Sequence, residues 1–284
     1  MTSPEPPRAG PPRRAVLATG AVTVLGVAAA WAARDPLWES VDQLMQDDPS
    51  LPSTDPSAVA SEQLPRLDRL ADARLYYEIS GTPTGFRIEP AFAQRLSATL
   101  ARHWTYLAAP PPTQLWSYGA WVRLEDRPRL SWHHAGRAFD LGRVRAGDGT
   151  DRVSCRYDLW QNSSGAQRAA LERAYWRLAA SLHHDFASVL TYLYDEAHHN
   201  HIHVDDGRSG PTGSTFSPGS RIQVQAVQAM CRHVWGFDIR PSGSWDDDTR
   251  SATQEVLARA GAGGRLTQGQ RHWRAFLDAT ARQP

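Results

Sequence analysis

Two short stretches of this 284-residue chain concentrate side chains that hold metals. The first, SWHHAGRAFDLG at 131–142, places His133 seven residues before Asp140, with Gly136 and Ala138 between them. Imidazole and carboxylate are both good zinc ligands, at about 2.0–2.2 Å. Ligands at that spacing converge only if the chain bends between them, and the small residues permit a bend. Asp140 falls on an expected strand between Phe139 and Leu141. A carboxylate among apolar neighbours needs a partner, because burying a charge alone is expensive, and a metal supplies one.

The second stretch is DEAHHNHIHVDD at 195–206. On a strand, His201 and His203 project to the same face, with Cα atoms about 6.5–7 Å apart. One can therefore bind a metal while the other stands beside it. His198 lies just upstream, where a turn brings it alongside. A third ligand from this strand completes a three-ligand site with a position left for water. That is the catalytic arrangement of zinc, which lowers the pKa of its water to roughly 7. Against this, a lone pair of strand histidines is more often structural, and His-rich tracts scavenge metal incidentally. It is the two motifs together, with Asp140, that favour ligation.

The pattern Ser131-x-His133-xx-Gly136-x-Ala138-x-Asp140, followed by His201-x-His203, resembles the signature of the D-alanyl-D-alanine carboxypeptidase and murein endopeptidase group. It is most similar to the extensin-like branch, and the hedgehog signalling domain shares that zinc fold. The likeness covers roughly residues 85–206. It implies zinc as cofactor, with His133, Asp140 and His203 as ligands and His201 near the metal as a catalytic or transition-state group. His198 matches a further histidine of the murein endopeptidases. Many relatives use a glutamate as general base; Glu196 is the only local candidate, at a spacing that does not match, so the base stays open. The family's upstream arginine, which holds a substrate carboxylate or the developing oxyanion, is assigned to Arg123. Arg127 and Arg129 are its rivals, and a solvated surface arginine is the alternative for each. The implied reaction is hydrolysis of the peptide stem or cross-bridge of peptidoglycan.

The elements that must position these residues follow from periodicity. Residues 90–107 carry Phe92, Leu96 and Leu100 at helical spacing, and 166–184 carry Leu171, Tyr175, Leu178 and Leu182. Strand-like runs occupy 114–123, 138–144, 187–194 and 201–205. The expectation is an α+β domain at 64–206, with helices packed on an antiparallel sheet. A Gly/Ser/Pro-rich stretch at 207–220 reads as a second linker or surface loop. Beyond it, 221–284 reads as a small all-α domain, with helices from Ile222 to Val234, at 247–260 and at about 268–281. There, VQAVQAM followed by Gly243 and Thr249 resembles a peptidoglycan-binding three-helix module, although Ser242 and Asp246 depart from its pattern. A packing appendage is the alternative.

At the other end, Arg8, Arg13 and Arg14 precede nineteen uncharged residues at 15–33, close to the ~20 needed to span a bilayer. Basic residues ahead of an apolar run predict a cytoplasmic N-terminus and an exported remainder, either anchored or released by a signal peptidase. A buried core helix is the plainer alternative. Residues 34–63 read as a linker rich in Asp, Pro and Ser. Lys+Arg at 31 against Asp+Glu at 30 argues against nucleic acid, which selects a basic excess. Cys155 and Cys231 form no CxxC motif, leaving one disulfide or two thiols. His183 and His184, at an expected helix end, and Trp104, Trp116, Trp121 and Trp160 read as structural. Two other functions fit the same motifs: a zinc-bearing, non-catalytic domain that binds cell wall or a protein partner, and a periplasmic metal-binding protein. An open coordination position beside a proton-transfer group favours the enzyme over both. Oligomeric state is not encoded in any motif.

Overall fold

The computed structural model describes residues 56–107, 110–126, 130–209 and 212–284. The expected apolar segment 15–33 lies outside them, as do the linker up to residue 55, Arg127 and Arg129. Among the described residues, no helix is long and apolar enough to cross a membrane.

The described chain holds ten strands and six α-helices. Strands β1 (Arg66–Leu67), β2 (Arg69–Leu70), β3 (Ala73–Tyr77), β4 (Thr82–Pro83) and β5 (Phe86–Arg87) precede helix α1 (Pro90–Tyr106). Then come β6 (Gln114–Gly119), β7 (Ala138–Arg145), β8 (Asp151–Ser154), the short α2 (Tyr157–Trp160) and the long α3 (Gly165–Asp185). Strands β9 (Ser188–Leu190) and β10 (Ile202–Asp205) are followed by α4 (Arg221–His233), α5 (Asp247–Arg259) and α6 (Gln270–Arg282). The main sheet has the order β2-β3-β6-β7-β10-β9, with β4 on β3 and β8 on β7. It is mixed, which corrects the expectation of an antiparallel sheet: β3 runs parallel to β6. The cause is α1, a helical crossover that returns the chain so that both strands point the same way.

One face of the sheet is apolar. Leu75, Leu115, Phe139, Leu141, Ile202 and Val204 bury against Phe92, Leu96 and Leu100 of α1 and Tyr175, Leu178 and Leu182 of α3. Helix α1 begins where Glu89 caps it, accepting from the Phe92 N–H at 2.7 Å, and Pro90 occupies the first turn, where no donor is lost. In α3, Leu178 through His183 are six consecutive buried residues. A helix covered all round lies inside a protein, not on its surface. Its second face meets the C-terminal helices, whose Val227, Met230, Trp273, Phe276 and Leu277 join the same apolar cluster. Within 207–220, Ser214, Phe216 and Ser217 are buried; Ser214 Oγ donates to the His183 carbonyl and accepts from Trp273 Nε1 at 2.7 Å. All described residues belong to one unit, Asp48–Pro284. Trp104 and Trp160 are buried, Trp116 and Trp121 half-buried, and both cysteines are buried free thiols.

Candidate metal centre

The apolar strands leave their opposite face for polar side chains, and at one end that face carries the two motifs. Strands β7 and β10 pair antiparallel in a register that sets His203 directly across from Asp140. Cross-strand partners on one face hold their Cβ atoms within about 4.5–5.5 Å. His133 reaches them from a 3-10 turn, Trp132–Ala135. The Ser131 hydroxyl opens that turn by accepting from the His133 N–H at 3.4 Å. Gly136 closes it at φ 66°, its N–H donating to the His133 carbonyl at 3.1 Å. A β-carbon at 136 would also meet Leu64 Cδ1 at 2.7 Å and the Glu89 nitrogen at 3.2 Å. Both the backbone angle and the space therefore require glycine here.

Three ligand atoms converge. Asp140 Oδ1 stands 2.9 Å from His203 Nδ1 and 3.3 Å from His133 Nε2, and the two nitrogens are 3.2 Å apart. Ligands at 2.0–2.1 Å in a tetrahedron lie about 3.3–3.4 Å from one another, so the triangle has the size of one face of a zinc site. The remote ring nitrogens are committed elsewhere. His133 Nδ1 donates to the Ala120 carbonyl at 3.0 Å, and a carbonyl only accepts. His203 Nε2 lies 3.2 Å from Asp205 Oδ2, the carboxylate–histidine arrangement that orients metal ligands. With both rings neutral, two lone pairs and a carboxylate oxygen point at one place with no proton among them. A cation is the partner such a donor set calls for, and the residues fit a divalent metal.

In the metal-free site a proton competes for that place. Burial raises the Asp140 carboxyl, but the surrounding imidazoles of His133, His201 and His203 outweigh it and hold the group well below the carboxylate range. Burial lowers His203, but Asp140 and Asp205 outweigh it and push that ring up to about 9. A metal binding there must displace a proton.

Around the triangle stand two more imidazoles. His201 Nε2 is 3.4 Å from Asp140 Oδ1, while its Nδ1 donates to Asn200 Oδ1 at 2.5 Å. Burial drives His201 down to about 3, so it is neutral, with a lone pair at Nε2. His198 is buried, its Nδ1 2.6 Å from Asp195 Oδ1 and its ring centroid 5.1 Å from that of His201. Next along the face, the Tyr118 ring lies 5.8 Å from the His201 ring. Beyond it, Arg143 and Arg156 both pair with buried Glu78, at 2.6 and 2.8 Å.

The other expected residues are placed differently. Glu196 is exposed on the 3-10 turn Glu196–His198. Arg123 is exposed in the loop after β6, not on the strand, which ends at Gly119. It lines a cavity of about 500 Å³ with Ala58–Glu62 and His134. The spacing of the motifs does not point to Asp195, Asn200, Asp205 or the Ala120 carbonyl. Asp205 carried the one available signal, being two positions from His203 on the same strand face. No family model matches the chain, and neither a curated protein nor a solved structure matches it.

Proposed function

We propose that this chain is a zinc peptidase of the D-alanyl-D-alanine carboxypeptidase and murein endopeptidase type, with a hedgehog-like zinc fold. Its zinc is held by His133 Nε2, Asp140 Oδ1 and His203 Nδ1, and its substrate is the peptide stem or cross-bridge of peptidoglycan. The observation that carries the reading is the convergence of three acceptor atoms whose rings are oriented by Ala120 and Asp205. The apolar run at 15–33 supports export, with the enzymatic part anchored outside the cytoplasm or released. The helical region 221–284 is the proposed cell-wall-binding element.

Zinc in this position supplies Lewis acidity for the scissile carbonyl and a lowered pKa for the attacking water. The protein's part is orientation and proton handling. His201 is neutral and turns Nε2 towards the triangle, so it accepts a hydrogen bond from a water placed there. His198 and His201 are the two rings available to hold the proton that the water gives up. Purified zinc-loaded protein, incubated with peptidoglycan sacculi, should release new peptide termini detectable by mass spectrometry. Stoichiometric zinc with no cleavage of any stem or cross-bridge bond would sink the peptidase reading.

One observation favours a second reading. His201 Nε2 is close enough to the ligand set to become a fourth ligand. That would close the site and make the domain a non-catalytic zinc-bearing module that binds cell wall or a protein partner. Zinc retention by His201→Ala separates the two, since a three-ligand site keeps its metal.

A further inference from the structure

We infer that Asp195 is a positioning residue that fixes the tautomer and orientation of His198 for proton transfer. Asp195 caps the 3-10 turn Glu196–His198 from an extended backbone. Its Oδ1 accepts from two donors of the same residue, the His198 backbone N–H at 3.1 Å and the ring Nδ1 at 2.6 Å. A helix cap needs only the first. The second ties the imidazole to the backbone that carries it and commits the proton to Nδ1, so that Nε2 holds the lone pair. The ring is also wedged edge-on against Tyr194, at 5.3 Å and 77°. It stands next to the candidate site, its centroid 5.1 Å from His201 and 6.1 Å from His203.

The two rings beside the triangle thus differ in what backs them. His201 Nδ1 faces the neutral amide oxygen of Asn200. His198 Nδ1 faces a carboxylate, and a carboxylate stabilises the imidazolium that forms when the far nitrogen takes a proton. His198 is therefore the ring that holds the proton, while His201 orients the water. The catalytic half of this inference rests on the peptidase reading: Nε2 of His198 takes a proton from the attacking water and returns it to the departing amine nitrogen. The tautomer half stands without it.

The test uses the zinc-loaded full chain and Asp195→Asn, in which asparagine still caps the turn. Zinc content and fold should be unchanged. In ¹⁵N spectra, His198 of the natural protein should carry its proton on Nδ1, and it should stay there in the variant, whose amide Oδ1 still accepts it, so that the substitution removes only the charge behind the ring. Turnover on peptidoglycan should fall by about 10²–10⁴-fold in kcat with little change in KM. Adding His198→Ala should cost less than the same change does in the natural protein. A His198 proton on Nε2 in the natural protein overturns the inference, whether or not the protein cleaves peptidoglycan. Unchanged kcat in an active Asp195→Asn, or a full further loss on adding His198→Ala, overturns its catalytic half. If no variant turns over, the peptidase reading fails and the ¹⁵N result alone decides the tautomer.

Discussion

Two regions of this molecule bury histidines, and they differ in what the ring nitrogens meet. At the metal face, His133, His201 and His203 each give one ring nitrogen to a fixed acceptor and turn the other towards Asp140. In the helical core, His183 of α3 packs against Trp273 of α6, at 6.1 Å, with no side-chain hydrogen bond at either ring nitrogen. His103 of α1 finds only the Ser181 hydroxyl, at 2.7 Å. Burial drives both core rings down to about 3, whereas carboxylates push His203 up to about 9. Burial alone therefore does not mark a functional histidine. Convergence of oriented nitrogens on a shared carboxylate is what sets the candidate site apart.

The contrast breaks most severely at a ligand. His203→Ala should abolish both zinc binding and turnover, read as metal content and hydrolysis rate of the purified variant, because the remaining pair cannot hold the ion. His201→Ala should keep its zinc and lose about 10²–10⁴-fold in turnover. Removing an orienting partner costs less. Asp205→Asn should weaken metal affinity about 10–100-fold in a competition titration against a chelator.

His203 and the histidines depressed by burial predict opposite pH limbs in the metal-free protein. His203 has a folded pKa raised above the ordinary 6.5 to about 9. Its stabilisation is complete below pH 6.5 and is lost as pH rises through about 9. His103 and His183, and His201 in the site, are depressed to about 3, so their environment costs stability as pH falls from 6.5 towards 3. Each proton contributes at most about 1.4 kcal/mol per pH unit. Thermal unfolding across this range should show both limbs, and apparent zinc affinity should rise with pH until about 9. The smallest effect is expected from His183→Leu. An apolar residue in an apolar place is close to neutral at pH 7, and it should make the acid limb shallower without touching zinc binding. A zinc-free His183→Leu would erase the distinction between the two regions.

The convergence of His133, Asp140 and His203 was legible in the sequence because these residues obey local rules. Strand alternation put Asp140 opposite in character to Phe139 and Leu141, and SxHxxG placed a bend before it. Helices α1 and α3 were legible too, each within one residue at either end of its expected span. What stayed hidden depends on tertiary register. Asp205 was within reach of strand alternation, two positions from His203 on β10, but the Ala120 carbonyl reaches His133 across a loop. The strand expected to run to residue 123 stops at Gly119, after two register irregularities against β7, which carries Arg123 away from the sheet. The parallel β3–β6 pair needed α1 to be seen as a crossover.

The account depends most on which atoms surround the metal. X-ray absorption at the zinc edge, on the zinc-loaded full chain, reads that shell directly. It should show two imidazole nitrogens at about 2.0–2.1 Å and oxygen ligands from Asp140 and a water, with the same two imidazoles in His201→Ala. A third imidazole in the natural protein that disappears in His201→Ala would make His201 a ligand and contradict the open, three-ligand centre.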